Sequence, residues 1–132
     1  MERIDFHTTE REELLDITRL VLGIVKNKDW RKGALVVYSP HTSGAVTINE
    51  AADPCVVTDM VGFMHRLIPQ EDSQFCHSEG NSDAHIKASL IGQSVTVIIE
   101  DRALQLGNWQ GIYFYEGDGP RRRSVWLQFL PG

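Results

Sequence analysis

Four stretches of the 132-residue chain gather the side chains able to do chemistry. The first is Ser39-Pro40-His41-Thr42-Ser43, running on to Asn49-Glu50 and Asp53. The others are His77 through His85, Leu106 through Gly111, and Asp118 through Arg123. Zinc and related ions favour imidazole nitrogen, and their catalytic sites use three protein ligands with one position open to water or substrate. His41, His77 and His85 form a candidate set of three. The H-x7-H spacing of the second stretch is no zinc signature, so ordinary loop histidines with hydrogen-bond partners remain the alternative. His85 falls in the first turn of an expected helix, where the positive dipole end disfavours imidazolium. A neutral ring is the form that ligates a metal or accepts a proton.

Gly80-Asn81-Ser82 opens the same helix, and free backbone N–H groups at such a start suit phosphate or carboxylate. Ser82 is equally well read as an N-cap. Lys87, one turn on, either reaches a phosphate or projects into solvent. Ser43 joins these as a candidate phosphate contact. Glu50 directly follows a strand and is the candidate general base; Glu79 and Asp83 are alternatives, and Asp53 reads better as a helix cap. Trp109, in a glycine-flanked stretch, can stack on a flat heterocycle or fill a core. Arginines bind diphosphate through charge-assisted forks. In a strand only Arg121 and Arg123 share a face, and salt bridges across an interface are the rival use.

The elements that must position these groups are legible in outline. Thr9-Glu10-Arg11-Glu12 has the capping-box form. Leu14, Ile17, Val21 and Ile24 follow at helical spacing, predicting a helix from about Glu10 to Lys28. Residues 3–7, 34–38, 45–48, 95–99, 112–115 and 125–130 read as strands. Asp53-Pro54 starts a second helix with an apolar stripe from Val57 to Leu67, stopped by Pro69. A third helix runs from Asn81-Ser82-Asp83 to a stop at Gly92. Gly117-Asp118-Gly119-Pro120 is a turn cluster. Helices among short strands with a hairpin-like finish predict an α+β fold with a mainly antiparallel, sandwich-like sheet and flanking helices.

Composition bounds the rest. The length suits one domain spanning residues 1–132, and 42% apolar with 23% charged residues is the make-up of a chain that folds. A net charge of −5 argues against nucleic acid as a partner. No apolar run approaches the ~20 residues of a membrane span. The first residues lack the pattern of a signal peptide, so the expected location is cytoplasmic. Cys55 and Cys76 lack metal-type spacing and read as reduced thiols.

Taken in order, four motifs resemble the YjbQ family, small proteins catalogued as secondary thiamine-phosphate synthase enzymes. They are His41-Thr42-Ser43-Gly44-Ala45-Val46-Thr47-Ile48-Asn49-Glu50 with Asp53-Pro54, His77 through Lys87, Leu106-Gly107-Asn108-Trp109-Gln110-Gly111-Ile112, and Asp118-Gly119-Pro120-Arg121-Arg122-Arg123. Asn108 departs from the threonine usual in the family. The resemblance implies a homotrimer with a histidine-rich pocket between subunits, where His41, His77 and His85 meet around a metal or anion. It also implies a transferase joining hydroxymethylpyrimidine diphosphate to thiazole phosphate, with diphosphate leaving. The phosphates would fall to Gly80, Asn81, Ser82, Lys87 and an arginine, the heterocycle to Trp109, and a proton to Glu50. Diphosphate chemistry usually employs Mg²⁺ on oxygen ligands, whereas three histidines suit Zn²⁺ and metal-water chemistry such as hydrolysis. A non-catalytic module binding a metal or a small phosphorylated metabolite is the other expectation.

Overall fold

The computed structural model describes residues Met1–Gly132. In chain order the elements are β1 (Glu2–His7), β2 (Glu13–Asp16), α1 (Thr18–Asn27), β3 (Gly33–Tyr38), β4 (Gly44–Glu50), α2 (Pro54–Leu67), α3 (Ser82–Ile91), β5 (Ser94–Glu100), β6 (Ala103–Leu104), β7 (Gln110–Glu116) and β8 (Arg122–Pro131). All strand pairs are antiparallel, in a five-stranded sheet of order β1-β8-β3-β5-β6 and a three-stranded sheet of order β2-β7-β4.

Period-two alternation decides which faces meet. Leu35, Val37, Val97, Ile99, Val125 and Leu127 of the larger sheet share one core with Val46, Ile112 and Phe114 of the smaller. Ile17, Val21 and Val25 close it from α1. On the outer side of the smaller sheet, Ala88 and Ile91 of α3 pack with Ala45, Tyr115 and Leu14. Helix α2 packs against β2 and buries no residue completely. This is the expected α+β class with antiparallel sheets.

The first helix differs from expectation. Residues 13–16 form a strand on β7, and the helix begins only at Thr18. Glu13, not Glu12, folds back: its carboxylate accepts from the N–H groups of Thr9 and Glu10 at 2.7 and 2.8 Å, closing a turn ahead of the strand. Leu14 and Leu15 then point to opposite sides, toward the outer cluster and the main core. The Asp16 carboxylate accepts from Thr18 N and Oγ1, and that contact marks the real start of α1. The other two helices start as expected: Asp53 accepts from Cys55 N, and α3 begins after Asn81.

Two glycines let the site elements approach. A Cβ on Gly44 would lie 2.4 Å from the Phe114 ring, and one on Gly117 would lie 2.9 Å from Ala84 Cβ. The β4 start can therefore sit on the core end, and the β7–β8 turn against the first turn of α3. The sequence 39–44, the start of α3 and the turn 116–124 converge at one end of the sandwich.

Candidate functional site

At that end, strand β3 stops at Tyr38 while β8 continues, so Ser124, opposite Asp5 of β1, has no partner from β3 on its other side. The His41 ring fills the gap, with Nε2 3.0 Å from Ser124 N and 3.2 Å from Ser124 O. Burial first, then the Arg123 guanidinium, lowers its pKa and keeps the ring neutral. Next in sequence, the Thr42 carbonyl lies 3.0 Å from His85 Nδ1. With the proton on Nδ1, His85 donates to that carbonyl and its Nε2 carries a free lone pair. His77 stands beside it, ring centroids 5.5 Å apart and nearly edge-on. An open cavity of about 430 Å³ next to this pair is lined by Gln70, Glu71, Asp72, His77, Gly80 and Ser82 among others.

The polar groups around the pair are already committed. Ser43 is buried, and its Oγ accepts from Arg123 Nη2 at 2.9 Å. Arg123 is 5% exposed and forms an ion pair with Glu116, which is fully buried. Both belong to the inward faces of their strands, where they continue the rows Ile112–Phe114 and Leu127–Val125. Lys87 is completely enclosed, with Nζ 2.9 Å from Asp83 and 3.2 Å from Glu12. Arg11 adds a two-pronged contact to Asp83 at 3.0 Å on each arm. Burial works against the Asp83 carboxylate, but hydrogen bonds from Arg11 and Lys87 outweigh it and hold its pKa low. Tyr115 donates to Glu12 at 2.5 Å; burial and that contact push its pKa far up.

Several expected roles change with these placements. Lys87 neither projects into solvent nor reaches the surface where a phosphate would sit, because α3 directs it inward, onto Asp83 one turn back. Arg121 and Arg123 do not act as a pair of open forks: Arg123 lies inside, and Arg121 is held by Asp118 at 2.8 Å. Asn81 is buried and donates to the same Asp118, while its Oδ1 has no partner. Ser82 and Gly80 do border the cavity. The network of Thr8, Arg11, Glu12, Tyr115 and Glu116 was missed. The visible signal was a charge at the inward position of two apolar strands, Glu116 and Arg123, and the i, i+4 spacing of Asp83 and Lys87.

Glu50 and Trp109 lie elsewhere. They flank the far end of β4, where Ala51 N donates to Trp109 O at 2.6 Å. Seven residues of strand put that end roughly 20 Å from Ser43. Glu50 Oε2 accepts from Asp53 N at 2.9 Å. Trp109 is 68% exposed, which excludes the core role.

A metal can be tested against these donors. His85 has the arrangement of a ligating histidine, one nitrogen fixed by a carbonyl and the other free. His77 supplies a second imidazole, whereas the His41 Nε2 is occupied by Ser124. No group of three His, Cys, Asp or Glu that could hold a metal forms within one chain. The pair fits a transition ion that takes further donors from substrate, water or another copy. For Mg²⁺, which wants oxygen ligands, Asp83, Glu116 and Asp118 are consumed by Lys87 and the arginines, while Glu71 and Asp72 border the cavity.

Fold and site define a class: small antiparallel α+β sandwiches with an oriented histidine pair where β4 and α3 begin. The chain belongs to the YjbQ-like UPF0047 family, whose model matches residues 2–132. It is 49% identical over 123 residues to a UPF0047 protein of Methanocaldococcus jannaschii, covering 93% of this chain and 88% of that protein. It is 42% identical to the UPF0047 protein YugU of Bacillus subtilis, over 98% of each. The crystal structure of a YjbQ/UPF0047 family protein from Clostridium acetobutylicum superposes with a TM-score of 0.94 at 43% identity. That match covers 98% of this chain and all of the other. No helix is long and apolar enough to cross a membrane.

Proposed function

We propose that the chain is an enzyme acting on a small phosphorylated metabolite, a transferase that joins hydroxymethylpyrimidine diphosphate and thiazole phosphate as diphosphate leaves. The observation that carries the reading is the bond between His85 Nδ1 and the Thr42 carbonyl, which leaves Nε2 free beside His77 at the start of α3. Gly80 and Ser82 border the same cavity, and the helix start at Ser82 suits a phosphate oxygen. A zinc-like ion on the two imidazoles would polarise a phosphate oxygen or activate water. His77 and His85 would hold it, and Ser82 would orient the phosphate end.

The assembly is a homotrimer. In support, Phe63 and Leu67 on α2 are more than half exposed, and the outer face of the five-stranded sheet carries exposed Tyr38, Ile98 and Leu130 with no helix over them. Uncovered apolar surface of this extent marks an interface. Pairing the His77–His85 end of one subunit with the Glu50–Trp109 end of the next gives the heterocycle an aromatic face that one chain alone cannot bring there.

A second reading is favoured by the charge balance. Arg11, Lys87, Arg121 and Arg123 each already face a carboxylate, leaving none of them free for a diphosphate. A module that binds a metal or a singly phosphorylated metabolite without turnover suits that balance. One experiment separates the two: purified protein is given both substrates with and without Zn²⁺, and thiamine phosphate and diphosphate are measured. The enzyme reading expects stoichiometric release of both and a loss of 100-fold or so in His85→Ala. Thermal stabilisation by thiazole phosphate with no product would establish the module instead. Full activity in His85→Ala would overturn the site.

A further inference from the structure

The Thr8–Glu116–Arg123–Ser43 chain runs from β1 across the core end to the segment holding His41 and Thr42, with all four residues at 4, 0, 5 and 7% exposure. The geometry points to Arg123 and Glu116 as positioning residues that fix which nitrogen of His85 carries the proton. The inference rests on the reading of His77 and His85 as the working pair.

The links are explicit. Thr8 Oγ1 donates to Glu116 Oε1 at 2.7 Å. Arg123 Nε donates to the same oxygen at 2.8 Å, and its Nη2 donates to Glu116 Oε2. That Nη2 also reaches Ser43 Oγ at 2.9 Å, while Gly117 N donates to Ser43 O at 3.0 Å. Ser43 is thus held on both side chain and backbone, by groups that are themselves held. The peptide carbonyl just before it, that of Thr42, is thereby fixed toward α3. From α3, His85 presents Nδ1 to that carbonyl. A free imidazole prefers its proton on Nε2, so a fixed carbonyl at Nδ1 inverts the ordinary choice and leaves Nε2 as the lone-pair nitrogen. Arg123 does this without touching the ligand space: its guanidinium faces Ser43, Glu116 and the Phe114 ring, 5.9 Å from the centroid. An ion pair that costs desolvation at this depth therefore has a task that a plain apolar filling would not perform.

The test reads the tautomer directly. Metal-stripped, ¹⁵N-labelled full-length protein is held near pH 9, and the two ring-nitrogen shifts of His85 are recorded. The wild type is expected to be predominantly Nδ1–H. Arg123→Gln is expected to move His85 predominantly to Nε2–H, with His65 on the exposed side of α2 unchanged as the internal control. Thr8→Val, a milder break at the far end of the chain, is expected to give a partial shift that Thr8→Ser restores. A general loosening would not be repaired by one hydroxyl. Far-ultraviolet circular dichroism shows which variants fold, and Thr8→Val decides the matter if Arg123→Gln does not. An Nε2–H wild type, or an unchanged tautomer in every folded variant, overturns the inference. If the tautomer shifts as stated while His85→Ala retains full turnover, the positioning stands and the assigned role of the pair falls.

Discussion

At the scale of single residues, burial separates structural charges from those available to a ligand. Lys87 lies wholly inside between Asp83 and Glu12, so Lys87→Met is expected to destabilise by about 3 kcal/mol, as breaking a buried pair does. Arg121, half exposed on Asp118, is expected to cost at most about 1 kcal/mol as Arg121→Ala. Urea titration of both variants checks the contrast, and equal losses would contradict the placement of Lys87. The same network sets an acid limit. Because the folded Asp83 has its pKa held below the ordinary value of about 3.9, the unfolded chain takes up that proton first as pH falls. Stability from Asp83 is present above about pH 4 and is lost as pH drops through the lower folded value. Asp83→Asn should flatten the dependence of unfolding free energy on pH in that range, measured by urea melts from pH 5 downward. An unchanged slope would show that other carboxylates carry it.

At the scale of elements, local signals were readable where one residue type dictates one conformation. Asp53-Pro54, the Gly92 stop and the alternation of β5 each specify their own geometry and formed as expected. The first helix is shorter than its apolar spacing predicts because that spacing runs through residues whose partners are distant. Leu14 and Leu15 pair with Tyr115 and Phe114, a hundred residues on, and only that register makes 13–16 a strand. The site divided the same way. The closeness of His77 and His85 follows from the loop before α3, but the burial of Lys87 and Arg123 depends on Glu12, just ahead of β2, and on Glu116 at the end of β7. Helix α2 has an apolar stripe with no complete cover in one chain. If that face is the interface of the proposed homotrimer, Phe63→Glu with Leu67→Glu is expected to leave the fold intact and convert the trimer to monomers. Sedimentation equilibrium reads this, and an unchanged mass would move the interface to the bare face of the larger sheet.

For the whole molecule, the decisive dimension is the length of β4. It places His85 and Ser43 at one end and Glu50 with Trp109 at the other, roughly 20 Å apart. On the proposed reading these ends are two half-sites, and a substrate that touches both would lie between subunits. In a three-fold ring each contact joins unlike ends of two neighbours. On that reading His85→Ala and Trp109→Ala each damage a different half, so each proposed homotrimer would have three defective pockets. Unfolded together in equal amounts and refolded, the two chains meet at random. A pocket is whole when its histidine end comes from the Trp109→Ala chain and its tryptophan end from the His85→Ala chain. Random mixing in a closed ring makes that true for about a quarter of pockets. Turnover of the mixture should therefore rise to about a quarter of wild type, with both parents expected to be inactive. A mixture that stays at the average of its parents would mean that each pocket belongs to one chain, with Trp109 serving some other contact.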